Sequence, residues 1–180
     1  AEDADAMVNA ALAKFGRLDV LVNNAGIYPA RAFLEIDNHH WDAIFDINVK
    51  GVVWCSQAAL RVMIPRKSGR IVNISSADGK RPGPGNACYC ASKAAVISLT
   101  RSMAMEMAQY GILVNAVAPG WVGTSKVYET DRWKAALGQI PLGRLATPEE
   151  IGDAVVYLCS EAGSYITGEV LNVNGGFLMD

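Results

Sequence analysis

Apolar positions in this chain switch repeatedly between helical and strand-like spacing, and the switches lay out its elements. Met7, Val8, Ala11, Leu12 and Phe15 recur at helical intervals behind an acidic first turn, and Gly16 stands where a C-terminal cap belongs. Residues 18–23 are short and mostly apolar, as in a strand buried on both faces. A long helical stretch follows from about Asp37, an N-cap residue type, toward Ile64. Pro65 and Gly69 close it, and Asn48 and Gly51 are weak points inside it. Residues 70–75 read as the second strand.

A Gly/Pro-rich loop at residues 78–85 leads into a helix that carries Tyr89 and continues to about Tyr110. Leu99, Met103 and Met107 line one of its faces as core or subunit contacts. Gly111 caps that helix, residues 112–117 form a third strand, and Pro119-Gly120 breaks it. Residues 121–143 read as a loop with one short helix around 131–137. Thr147-Pro-Glu-Glu150 is a capping box with proline at the first helical position, opening a helix to about Ser160. Residues 169–173 make the last strand, followed by Gly175-Gly176.

Strands alternating with helices predict an α/β fold with a parallel sheet, one domain over residues 1–180. Right-handed crossovers would put the C-terminal end of every strand on one edge, where such sheets bind ligands. Polar punctuation falls at that edge: Asn24 to Gly26, Ser76, and Pro119 to Thr124.

With 51% hydrophobic and 19% charged residues over 180 positions, the chain has material for a sizeable core and is not disordered throughout. A net charge of -2 leaves no electrostatic footprint for nucleic acid or an anionic membrane surface. Arg66-Lys67-Ser68-Gly69-Arg70, the densest basic cluster, reads as a solvated loop. No apolar run reaches the roughly 18 residues of a membrane span, and no charged-then-apolar leader opens the sequence. Cys55, Cys88, Cys90 and Cys159 lack paired CxxC spacing, which predicts free thiols in a reducing cytoplasm and no metal site. His39 and His40, ahead of Trp41 near a helix start, are expected to face solvent without a catalytic role.

Tyr89 and Lys93 are four residues apart, about one helical turn, so a phenol and an ammonium share a face. A neighbouring positive charge favours phenolate and lowers a tyrosine pKa. Ser76 lies thirteen residues upstream of Tyr89, after the second strand, where its hydroxyl can steady the oxygen that receives the proton. That is the equipment for protonating a carbonyl or deprotonating an alcohol. Taken singly, each element has a plainer reading: a helix-surface pair, a kink at Asn48, loop serines satisfying backbone groups, an ordinary turn at Asn24. Their convergence on one sheet edge argues against those readings.

In order and spacing, Asn23-Asn24-Ala25-Gly26, the lone mid-helix Asn48, Ile74-Ser75-Ser76, Tyr89-x-x-x-Lys93 and Pro119-Gly120-x-x-x-Thr124 resemble the motifs of the short-chain dehydrogenase/reductase family. The closest likeness is to its 3-oxoacyl carrier-protein reductases and related sugar or polyol dehydrogenases, a group that the ending at residues 165–176 also resembles. The resemblance covers essentially the whole chain. It implies a Rossmann-like doubly wound parallel sheet, NAD or NADP as cofactor, and a small-molecule carbonyl or secondary-alcohol substrate. It also implies a homodimer or homotetramer built through the helices at residues 37–64 and 89–110.

The same resemblance implies residue roles. Tyr89 would be the general acid/base. Lys93 would lower its pKa and hold the nicotinamide ribose hydroxyls. Ser76, rather than Ser75, would steady the substrate carbonyl, and Asn48 would anchor a water linking Lys93 to solvent. Asn24, Ala25 and Gly26 would approach the adenosine half of the cofactor. Pro119, Gly120, Val122 and Thr124 would border the nicotinamide, with Thr124 near its carboxamide.

One part of the family pattern is not found. Such a fold carries a Gly-rich turn after its first strand and a cofactor-selecting residue at its second. No such glycines precede residues 18–23, so roughly the first two βαβ units are expected to be absent, roughly 60 residues at about 30 per unit. Four C-terminal strands with flanking helices would remain, with an apolar edge and an uncovered sheet face at the Leu18 strand, and weak cofactor binding for want of the phosphate site. Two readings stand: an NAD(P)-dependent oxidoreductase, or an inactive truncated form serving as a non-catalytic oligomer partner. Residues 121–143 would cover the substrate, and Lys126, Tyr128, Arg132 and Trp133 suit either polar sugars or acyl chains.

Overall fold

Local signals set the helix ends in the computed structural model, which describes residues 1–129 and 131–180. Helix α1 (Glu2–Phe15) stops at Gly16, whose left-handed φ of 74° costs a glycine little. Asp37 caps α2 (Asn38–Phe45) by accepting from the His40 backbone N–H. The capping box on α7 (Pro148–Cys159) forms in both directions between Thr147 and Glu150.

Among the described residues, strands β1 (Val20–Asn23), β2 (Gly69–Ile74), β3 (Ile112–Pro119) and β4 (Val170–Val173) form a parallel sheet in that order. Register runs from Val20 opposite Arg70, through Ile71 opposite Val114, to Val117 opposite Leu171. Helices α3 (Gly51–Met63) and α4 (Ala87–Met107) cover one face, where Ala59, Met63 and Ala104 pack on Ile71, Ile112 and Val114. On the opposite face Leu158 of α7 packs on Val72 and Val117. Helix α1 rests on α3 through Ala4, Val8 and Ala58.

Several expectations need correction. The long stretch from Asp37 to Ile64 is not one α-helix, because a π-helical turn at Asp46–Lys50 separates α2 from α3. Asn48 sits inside that turn, where the wider backbone spacing interrupts the regular ladder. The first strand is not buried on both faces: Val20 and Val22 are 38% and 40% exposed, the uncovered sheet face expected at this strand, because α7 packs mainly on β2, β3 and β4. Since α7 lies on the face opposite α3 and α4, the last crossover has the opposite hand to the first two, so right-handedness does not hold throughout. His40 is buried, on the same stripe of α2 as Ile44, while His39 is exposed as expected.

Among the described residues, the segment after β3 holds two short helices rather than one, α5 (Ser125–Tyr128) and α6 (Arg132–Leu137). No helix among the described residues is long and apolar enough to cross a membrane. All four cysteines are free, and burial raises their thiol pKa values. The strands' C-terminal ends, at Asn23, Ile74, Pro119 and Val173, share one edge, and the site is built there.

Candidate active site

A cleft of about 490 Å³ opens along that edge. Asn24 and Gly26 line it from the end of β1, Ser76 from the end of β2, and Tyr89 and Lys93 from the first turns of α4. Pro119, Gly120, Val122 and Thr124 line it beyond β3. Ten of the eleven residues picked out in the sequence therefore fall on this cleft or against it; Ala25 is exposed and does not line it.

Asn48 is the one that stands behind the wall. Its side chain is buried, accepts from the Ile27 backbone N–H at 2.8 Å and donates to the Ile27 carbonyl at 2.9 Å. It also donates to Ser92 Oγ at 3.0 Å, and Ser92 in turn donates to the Tyr89 carbonyl at 2.7 Å. The asparagine of the π-turn thus clamps the loop after β1 onto the first turns of α4. Gly26 is held so close that an added Cβ would lie 3.3 Å from Asn48 Oδ1 and 3.4 Å from Lys93 Nζ.

The two serines after β2 divide their work. Ser75 is buried and donates to the Lys93 carbonyl at 2.9 Å, a structural tie. Ser76 Oγ accepts from the Asp78 backbone N–H at 3.0 Å, which occupies a lone pair and leaves its own proton to be donated elsewhere. Its side chain also works to lower the pKa of the Tyr89 phenol.

Electrostatics in the cleft are governed by desolvation. Burial pushes the Tyr89 phenol up to about 12, against the lowering effect of Ser76, with Asp78 adding to the rise. Burial likewise pushes the Lys93 ammonium down to about 8. The expected lowering of Tyr89 by Lys93 does not govern here. The Lys93 ammonium lies 5.8 Å from the Tyr89 ring centroid and donates to the Ile74 carbonyl at 2.7 Å.

Several cleft residues escaped sequence reasoning. Tyr28 meets Tyr89 edge-on at 6.0 Å between centroids, and the Lys126 ammonium sits 4.8 Å over Tyr28. Asp78, Asn86 and Phe177 also line the cleft. Only Asp78 left a readable signal, a carboxylate two residues after Ser76. Beneath the site, Asn23 donates to Asn73 Oδ1 at 2.8 Å and Asn73 to Thr100 Oγ1 at 2.9 Å, a polar chain from β1 to α4 that no spacing announced. Among the described residues no group of three His, Cys, Asp or Glu side chains is placed to hold a metal ion.

A parallel α/β sheet with serine, tyrosine and lysine gathered at its C-terminal edge defines a class of dinucleotide-dependent oxidoreductase folds, and the chain belongs to the short-chain dehydrogenase/reductase family. A family model described as Enoyl-(Acyl carrier protein) reductase matches residues 1–178. The acetoacetyl-CoA reductase of Acinetobacter sp. (strain RA3849) is 46% identical over 180 residues, covering 99% of this chain and 73% of that protein. The 3-oxoacyl-[acyl-carrier-protein] reductase of Synechocystis sp. is 42% identical, covering 99% of this chain and 72% of that protein. Among solved structures, ElxO with NADP bound superposes with a TM-score of 0.92 at 35% identity, over 98% of this chain and 73% of that one. A tyrosine-to-phenylalanine variant of ElxO with NADPH bound gives the same score at 34% identity.

Proposed function

We propose that this chain carries the catalytic elements of a nicotinamide-dependent reductase or dehydrogenase that interconverts a carbonyl and a secondary alcohol, with Tyr89 as general acid/base. The observation that supports it most is the gathering of Ser76, Tyr89 and Lys93 on one cleft at the C-terminal edge of the sheet. The NADP and NADPH bound to ElxO, and the reductase names of the sequence relatives, point the same way.

The residues present suit a nicotinamide dinucleotide, which when bound supplies or accepts the hydride. Lys93 spends one ammonium N–H on Ile74 and has two more, which ribose hydroxyls can accept. Gly26 puts no side chain beside Lys93 where the cofactor would lie, and Gly120 lets the backbone after β3 press against Asn174, whose Cβ an added Cβ would meet at 2.8 Å. Asn24 and Gly26, which line the cleft from β1, would face the adenosine half, and Pro119, Gly120, Val122 and Thr124, which line it beyond β3, would border the nicotinamide.

In the reductive direction the Tyr89 hydroxyl donates to the substrate oxygen as negative charge builds on it. The Ser76 proton, freed by the Asp78 N–H on the serine's lone pair, donates to the same oxygen. The Lys93 ammonium then steadies the tyrosinate, whose charge burial otherwise disfavours. Run backward, the same groups remove the alcohol proton.

Tyr89→Phe tests the reading, since it deletes one hydroxyl and keeps the ring against Tyr28. Turnover of a ketone substrate is expected to fall about 10²–10⁴-fold, with the melting temperature unchanged. Undiminished turnover would remove Tyr89 from the chemistry.

A further inference from the structure

Among the charged groups of the cleft that the mechanism leaves unused, one adjoins Ser76. Asp78 lies two residues beyond Ser76, on a 3₁₀ turn (Ala77–Gly79) that also borders Tyr89. The turn is held from several sides. The Asp78 N–H donates to Ser76 Oγ, and Gly79 N–H to the Ser76 carbonyl at 3.0 Å. Gly79 packs so tightly that a Cβ there would lie 2.8 Å from the Lys93 carbonyl carbon. The next residue, Lys80, donates to Asn172 Oδ1 at 3.0 Å and pairs with Asp180 at 2.9 Å.

On this rigid turn the Asp78 side chain has no hydrogen bond or ion pair among the described residues, although it lines the cleft. Burial holds its carboxyl above the usual range, only partly offset by the cation of Arg132. A half-buried carboxylate beside the acid/base also makes tyrosinate harder to form. Both effects are costs, and a donor arriving in the cleft would relieve the first.

Resting on the function proposed above, we infer that Asp78 is a specificity-determining residue. It accepts a hydrogen bond from a hydroxyl on the carbon next to the reacting carbonyl, so the substrates favoured are hydroxylated ketones and vicinal diols rather than plain alkyl or acyl chains. A site built to accept from a substrate hydroxyl discriminates against the analogue lacking it, because the carboxylate is then left desolvated and unpaired.

The test compares hydroxyacetone with its near-isostere 2-butanone, using the protein supplied with NADPH and NADH. The parent is expected to favour hydroxyacetone in kcat/KM, and Asp78→Ala to cut that ratio about 10–100-fold, the range for a hydrogen bond to a charged group. Asp78→Asn, which keeps shape and an acceptor, is expected to fall between and guards against a misfolded alanine variant. A ratio unchanged in both folded variants overturns the inference while leaving the proposed reaction intact.

Binding supplies the second readout, independent of turnover. Ligand-observed NMR is expected to show 1,2-propanediol binding the parent more tightly than 2-butanol, with the difference lost in Asp78→Ala. If neither ketone is reduced, the proposed reaction fails and the binding arm alone decides. Equal binding of the two alcohols to the parent then sinks the role of Asp78, and a preference abolished by Asp78→Ala upholds it.

Discussion

Lys93 is a lysine buried against a single carbonyl, and that combination has a pH signature. Its pKa falls from 10.5 to about 8 on folding. Below pH 8 the ammonium is charged in folded and unfolded chains alike, and the folded state bears the full burial penalty. Between pH 8 and 10.5 the folded chain releases its proton first, so the unfolded chain binds more protons and unfolding free energy rises with pH. Lys93→Met is expected to stabilise the fold at pH 7 by on the order of 3 kcal/mol, and to flatten the rise between pH 8 and 10. Urea midpoints of parent and variant across that range check it. The raised thiols and Tyr89 act in the opposite sense at higher pH, but they are common to both proteins and cancel in the difference. A midpoint difference that does not change with pH would show that Lys93 titrates normally.

At the level of elements, the site depends on the short turn after β2 as much as on helix α4. Ser76 and Asp78 are aimed by a backbone pressed onto Lys93, and Gly79 makes that approach possible. Gly79→Ala is expected to cost about 1–3 kcal/mol and to lower kcat more than it raises KM, because the displaced turn carries the Ser76 hydroxyl. Chemical denaturation and steady-state kinetics on the same preparation separate the two effects. Full stability with full activity would mean the turn shifts without consequence. Element boundaries show why sequence reasoning succeeded in some places and failed in others. The caps at Gly16, Asp37 and Thr147 formed as read, because capping is decided by a few adjacent residues. The π-turn was not readable as such: the helical periodicity continues through it, and Asn48 is held there by Ile27 and Ser92, distant in sequence.

For the whole molecule, the outer faces of α3 and α4 matter most. Trp54 is 39% exposed and Met105 is 83% exposed, outside the clusters that hold α3 and α4 to the sheet. These apolar side chains suit self-association of the kind the helices were expected to support. The double change Trp54→Glu with Met105→Glu is expected to shift the sedimentation coefficient to that of a smaller species without loss of helical circular dichroism. An unchanged coefficient would rule those faces out as a contact between copies.

Residues adjacent in sequence already specified the order of helices and strands, the parallel α/β class and the spacing of Ser76, Tyr89 and Lys93, because hydrophobic period, capping and motif spacing are local quantities. Folding added what depends on distant neighbours. Burial, not Lys93, dominates the Tyr89 phenol, since desolvation is set by everything packed around it. Val20 and Val22 stay exposed because α7 packs mainly on β2, β3 and β4. Tyr28 and Phe177 became cleft residues only when loops from separate parts of the chain met at one edge of the sheet.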